Sequence, residues 1–158
     1  MPSGSGTGDG ADAEAALAAF LDRFEPDIRD GAAAAIARLR RLAPQADAMI
    51  YDNYAGLVVG FSPTERPSDA ILSIVAYPRK YSLCFLQGAA LSDPDGLLQG
   101  YGNVVRHISL SSPDDMDRPD IAAAILRALQ EARIPIPVER TGRLYVQSVS
   151  TKQRPRRP

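Results

Sequence analysis

The sequence predicts an α+β fold: a single domain with a mostly antiparallel sheet of about five strands and helices packed on one face. Three observations carry this. Apolar residues recur at helical spacing near the start of the chain and again around residues 119–129. Between and after these stretches the period becomes extended, in short runs bounded by Gly, Pro, Asn and Asp. With 158 residues, 45% hydrophobic and 23% charged, the chain has the size and composition of one unit around one core.

Residues 1–10, rich in Gly and Ser, read as a disordered leader ahead of a domain over 11–150. A first helix is expected near Asp12, whose carboxylate can cap it. Leu17, Phe20, Leu21 and Phe24 then form one apolar stripe. Pro26 breaks that run and suits the first turn of a second helix. Its expected buried face is Ile28, Ala32, Ala35, Ile36, Leu39 and Leu42, with Arg38 and Arg41 turned away and Gly31 implying close packing. Pro44 ends it. Strands are expected at 57–61, 70–77, 81–86, 104–110 and 143–149, the second and third joined as a hairpin through Pro78-Arg79-Lys80. Ile71, Leu72, Ile74 and Val75 are apolar on both faces, which marks a central strand. Pro119 opens a third helix with Ile121, Ala124, Ile125, Ala128 and Leu129 as its stripe. Residues 151–158, basic and proline-rich, read as a flexible tail.

Composition excludes several classes. The last seven residues hold Lys152, Arg154, Arg156 and Arg157 without an acid, so the body before them carries −5 of a total of −1. An acidic body does not suggest a nucleic-acid binder. No apolar run approaches the ~20 residues of a membrane helix, and the N-terminus lacks the basic and apolar regions of a signal peptide. A cytoplasmic location is the resulting expectation. One cysteine, Cys84, cannot form an internal disulfide. One Cys and one His cannot make a zinc site of the usual composition, and no Gly-x-Ser-x-Gly elbow accompanies His107. Gly100-Tyr101-Gly102 lacks the third glycine of a dinucleotide fingerprint, and the loop from Asp93 has Val104 where an EF-hand needs Glu.

The candidate ligand-binding residues come from two places. Asp93 and Asp95 sit on a glycine-rich loop between two strands, where their carboxylates serve either as turn caps or as oxygen donors at a pocket mouth. Arg106 follows on the next strand and needs an acceptor; the loop's carboxylates or carbonyls are the nearest in sequence. His107, the one imidazole, is either a proton carrier or a hydrogen-bonded strand residue. Tyr51, Asn53 and Tyr54, around Asp52, either line a polar cleft or anchor a turn. Asp22, Glu25, Asp27 and Asp30 surround the junction of the first two helices, as a solvated face or a hard-metal site.

The run Gly88-Ala89-Ala90-Leu91-Ser92-Asp93-Pro94-Asp95-Gly96-Leu97-Leu98-Gln99-Gly100-Tyr101-Gly102, followed by Arg106-His107, resembles the signature of the YdhG-like family of small bacterial domains. The paired N-terminal helices, the Tyr51-Asp52-Asn53-Tyr54 segment and the ending from Ser148 to Arg157 fit one branch of it, so the resemblance spans nearly the whole chain. It implies an α+β fold with a sheet packed on helices. One member is described as a frataxin-like iron chaperone, which implies iron delivery from an acidic surface as an alternative role, with iron as its cargo. The reading expected from the residues is a non-catalytic binding or interaction module without a complete catalytic constellation. Its cofactor is unknown and its partner is an unknown small ligand or protein, a homodimer being among the open arrangements.

Overall fold

A computed structural model describes residues 6–158. Three helices and six strands follow in the order α1 (Gly6–Leu21), α2 (Pro26–Leu42), β1 (Asp47–Asp52), β2 (Leu57–Ser62), β3 (Leu72–Tyr77), β4 (Lys80–Phe85), β5 (Arg106–Leu110), α3 (Pro119–Gln130) and β6 (Leu144–Val149). The α+β expectation holds. The strands form one sheet in the order β5-β4-β3-β2-β1-β6. Every neighbouring pair is antiparallel except β1 with β6, which run parallel.

Period-2 alternation splits the sheet into two unlike faces. Ile50, Val59, Ile74, Leu83 and Ile108 stand in register across five strands and join one buried cluster with Leu17, Phe24, Leu39 and Ile125. All three helices therefore contribute to the same face. The other face carries Met49, Gly60, Ser73, Cys84 and His107 in the matching row. Proline at the first turn of α2 and of α3 fixes where each helix begins. The β3–β4 hairpin closes on Pro78-Arg79, with Tyr77 opposite Lys80. Gly31 faces Tyr81 so closely that a Cβ there would collide with the ring.

Several expectations are corrected. The first helix starts at Gly6 rather than near Asp12, so only residues 1–5 of the expected leader lie outside the described residues. Leu42 is 57% exposed, because the helix ends there and leaves the core. Arg38 is not turned to solvent: it reaches Asp114 at 2.6 Å and Asp117 at 3.3 Å. A sixth strand, β1, occupies 47–52, where no strand was expected.

The basic tail at 151–158 is not a free arm. It returns across the β1–β2 turn to the junction of α1 and α2. Arg156 is buried, with Nη2 donating to Asp52 Oδ1 at 2.8 Å and Nη1 to the Tyr54 carbonyl at 3.3 Å. Gln153 Nε2 donates to Asp52 Oδ2 at 2.9 Å, and Arg157 lies 3.6 Å from Glu25. The physical reason is Asp52 itself: a carboxylate only 2% exposed requires cations, and the tail supplies one.

Candidate functional site

A cavity of about 290 Å³ opens beside the glycine-rich signature, between the turn after β4 and the C-terminal end of α3. Its floor is apolar, with Ile71, Phe85, Leu91 and Ala128 among the lining side chains. The chain makes this space with small residues. Gly88-Ala89-Ala90 form a single 3-10 turn, and the Ala89 N–H donates to the Val104 carbonyl at 2.9 Å. Gly88 must be glycine for packing: a Cβ would stand 2.7 Å from Arg106 Cβ.

Gln87 holds the walls in place. Its Nε2 donates to the Ala70 carbonyl at 3.2 Å, while its Oε1 accepts from the Arg133 N–H at 3.0 Å. One amide thus ties the segment before β3 to the segment after α3, using one of its two N–H donors and one of its two acceptor lone pairs. The rim carries two charged side chains, Glu131 and Arg133, together with Asn103. Glu131 Oε2 accepts from Ser92 Oγ at 3.3 Å, and Arg133 Nη2 donates to the Ser68 carbonyl at 2.9 Å. A rigid, mainly apolar hollow with a few polar groups at its mouth has the character of a small-ligand site.

The candidate residues read from the sequence do not converge on one site. Tyr51, Asn53 and Tyr54 belong to β1 and its turn; Asp93, Asp95, Arg106 and His107 belong to β5 and the loop before it. β4, β3 and β2 lie between, four strand spacings or roughly 19 Å. Tyr51 lies on the face away from the helices, its hydroxyl 3.6 Å from the Met49 sulfur, and burial pushes its pKa up. The Asn53 N–H donates to the Gly56 carbonyl, closing the turn. The Tyr54 ring stacks under the Arg154 guanidinium at 5.8 Å.

Asp93 takes the capping role: its two oxygens accept from the Leu97 and Leu98 N–H groups at 2.9 and 3.0 Å. Asp95 is exposed at the adjacent turn. Gly96 (φ 65°) and Gly100 (φ 116°) supply the left-handed backbone the loop needs. Arg106 anchors the loop through carbonyls rather than a carboxylate, donating to Gly102 O and, at 3.0 Å, to Val105 O. His107 pairs across strands with Cys84, and its backbone bridges Gln99 in both directions at 2.9 Å, which covers the β5 edge. Burial raises the Cys84 thiol above its ordinary range, against the opposing effect of a Ser73 hydrogen bond. A half-buried thiol held protonated is a poor nucleophile.

Three of the four acids of the helix junction, Asp22, Glu25 and Asp30, lie against arginines. Arg29 binds Asp30 at 2.8 Å and lies 3.9 Å from Asp22; the Arg29 hydrogen bond holds the Asp30 carboxyl below its usual range. Glu25 meets Arg157. Among the described residues, no three His, Cys, Asp or Glu side chains converge to hold a metal ion. No helix among them is long and apolar enough to cross a membrane.

Two buried carboxylates were missed as structural centres. Asp47, fully buried, receives a two-pronged Arg140 guanidinium at 2.8 and 2.9 Å, the Arg143 N–H at 3.0 Å and the Tyr145 hydroxyl at 3.4 Å. Burial first, then the Asp47 charge, pushes the Tyr145 pKa to about 12. Gln87, Glu131 and Arg133 were also missed. The available signal was the run of three small residues next to buried Phe85, which leaves volume unfilled. No family model, curated protein or solved structure matches this chain.

Proposed function

We propose that this chain is a cytoplasmic, non-catalytic binding module of the YdhG-like type, and that its ligand enters the cavity beside the signature turn. The observation that carries this reading is the cavity itself: about 290 Å³ of apolar space, walled by backbone-bonded turns and edged by Glu131 and Arg133. Its lining, mainly apolar with a few polar groups at the mouth, is the composition of a small-ligand site. The signature run supports the family assignment, and its first four residues, Gly88-Ala89-Ala90-Leu91, line the cavity. The unactivated Cys84 and the separated Asp, Arg and Tyr candidates support binding over catalysis. Iron delivery gains no support from the junction acids, three of which already face arginines.

The test is a fragment titration followed through backbone amide shifts, using apolar compounds of up to about a dozen heavy atoms. Saturable shifts confined to residues 87–91, 104 and 128–133 are expected. Ala89 is exposed on the cavity wall, so Ala89→Phe should fill the space while the fold survives, and abolish those shifts. A panel that yields no saturable shifts there removes the proposal.

A further inference from the structure

We infer that the ligand of this cavity is a free α-amino acid with an apolar side chain. The inference rests on the reading of the cavity as a ligand site and adds the chemistry of its occupant. Three features of the mouth and floor lead to it.

First, the two charged rim groups are opposite in sign and two residues apart, yet they form no ion pair with each other among the described residues. Glu131 uses one carboxylate oxygen on Ser92. Arg133 uses one nitrogen on the Ser68 carbonyl and is 3.9 Å from Asp69, whose other oxygen is taken by the Thr64 hydroxyl at 2.7 Å. Each therefore retains a free oxygen or free N–H groups. A carboxylate suits the planar fork of arginine, and an ammonium suits a carboxylate.

Second, one cation and one anion on the lining of the same cavity select against singly charged amphiphiles. An aliphatic acid placed on Arg133 brings its charge near Glu131; an aliphatic amine placed on Glu131 meets Arg133. A zwitterion satisfies both groups at once. Third, the Gln87 amide is held in place by one bond on each side, so it is fixed as part of the wall. The lining of Ile71, Phe85, Leu91 and Ala128 offers apolar contact, and about 290 Å³ accommodates a side chain the size of leucine or phenylalanine.

The rim groups are solvent-exposed, with Arg133 at 64%, so each contact adds little and the affinity is on the order of 0.1–1 mM. The experiment is an amide-shift titration of the full chain with L-leucine, L-phenylalanine, glycine, 4-methylpentanoate and 3-methylbutylamine. Leucine or phenylalanine should saturate at residues 87–91 and 128–133, and the acid and the amine should bind about tenfold more weakly. Glycine should produce no shift. Arg133→Gln should weaken leucine by several fold and leave the amine unchanged or tighter; Glu131→Gln should do the same with the acid in the amine's place. Both residues are exposed, so an unchanged thermal midpoint certifies the variants. If the acid or the amine binds as well as leucine, the amino-acid inference falls while the cavity reading stands. If none of the five compounds shifts these residues, the amino-acid inference falls, and the apolar-fragment titration decides the cavity reading on its own.

Discussion

Arg156→Ala should destabilise this protein far more than loss of a tail arginine ordinarily does. The guanidinium is 1% exposed and meets a carboxylate 2% exposed at 2.8 Å. Removing one partner of a buried pair costs ~3–5 kcal/mol, because the remaining charge stays buried. Here Asp52 keeps Arg23 Nη1 at 3.1 Å and Gln153 Nε2 at 2.9 Å, which places the cost near the lower end, about 3 kcal/mol. For a domain of this size that corresponds to a fall of about 6–12 °C in the thermal midpoint. Differential scanning calorimetry at neutral pH reads it directly. Arg156→Lys keeps the charge but loses the fork that also reaches the Tyr54 and Asn53 carbonyls, so it should recover only part of the loss. Lys152→Ala, at an exposed position, should change nothing. A midpoint for Arg156→Ala within about 2 °C of the parent would refute the assignment of the tail as a fixed part of the fold.

Other outcomes follow from the same structure. Gly31→Ala drives a methyl group into Tyr81, and chemical denaturation should show a loss of ~1–3 kcal/mol from overpacking. The Tyr145 hydroxyl titrates at about 12, against an ordinary value of 10.0. The folded state therefore holds its proton longer, so this group's contribution is fully present below pH 10 and is lost as pH rises to 12. Tyr145→Phe should flatten that limb of the stability–pH curve. Anaerobic titration with ferrous ion should give no saturable micromolar binding, since Asp22, Glu25 and Asp30 face arginines; a saturable isotherm lost on changing those acids to amides would restore the carrier role.

How much of this was legible in the sequence depended on the distance between partners. The helices starting at Pro26 and Pro119 and the hairpin at Pro78-Arg79 were legible because a fixed φ and a nearby period determine them. The Asp93 cap was open between two readings, and the N–H groups that donate to it, four and five residues on, fit the local one. β1 was not legible. Its ends are Asp47 and Asp52, and buried carboxylates look like loop residues until their arginines are known. The tail misled for the complementary reason: its basic residues look solvated until the carboxylate they meet is known. The cavity was half legible, since the signature drew attention to the right segment, while Glu131 and Arg133 arrive there only through the packing of α3.

The pairing of β1 has a consequence for the order in which the chain assembles. Asp47 meets Arg140 across 93 residues, and Asp52, which also holds Arg23, meets Arg156 across 104. β1 can pair early with β2, its hairpin neighbour, but its other edge stays unclaimed until β6 arrives. Closing so long a loop is a slow, high-contact-order step. During that interval two ionised carboxylates hold water at the open edge and discourage pairing with another chain.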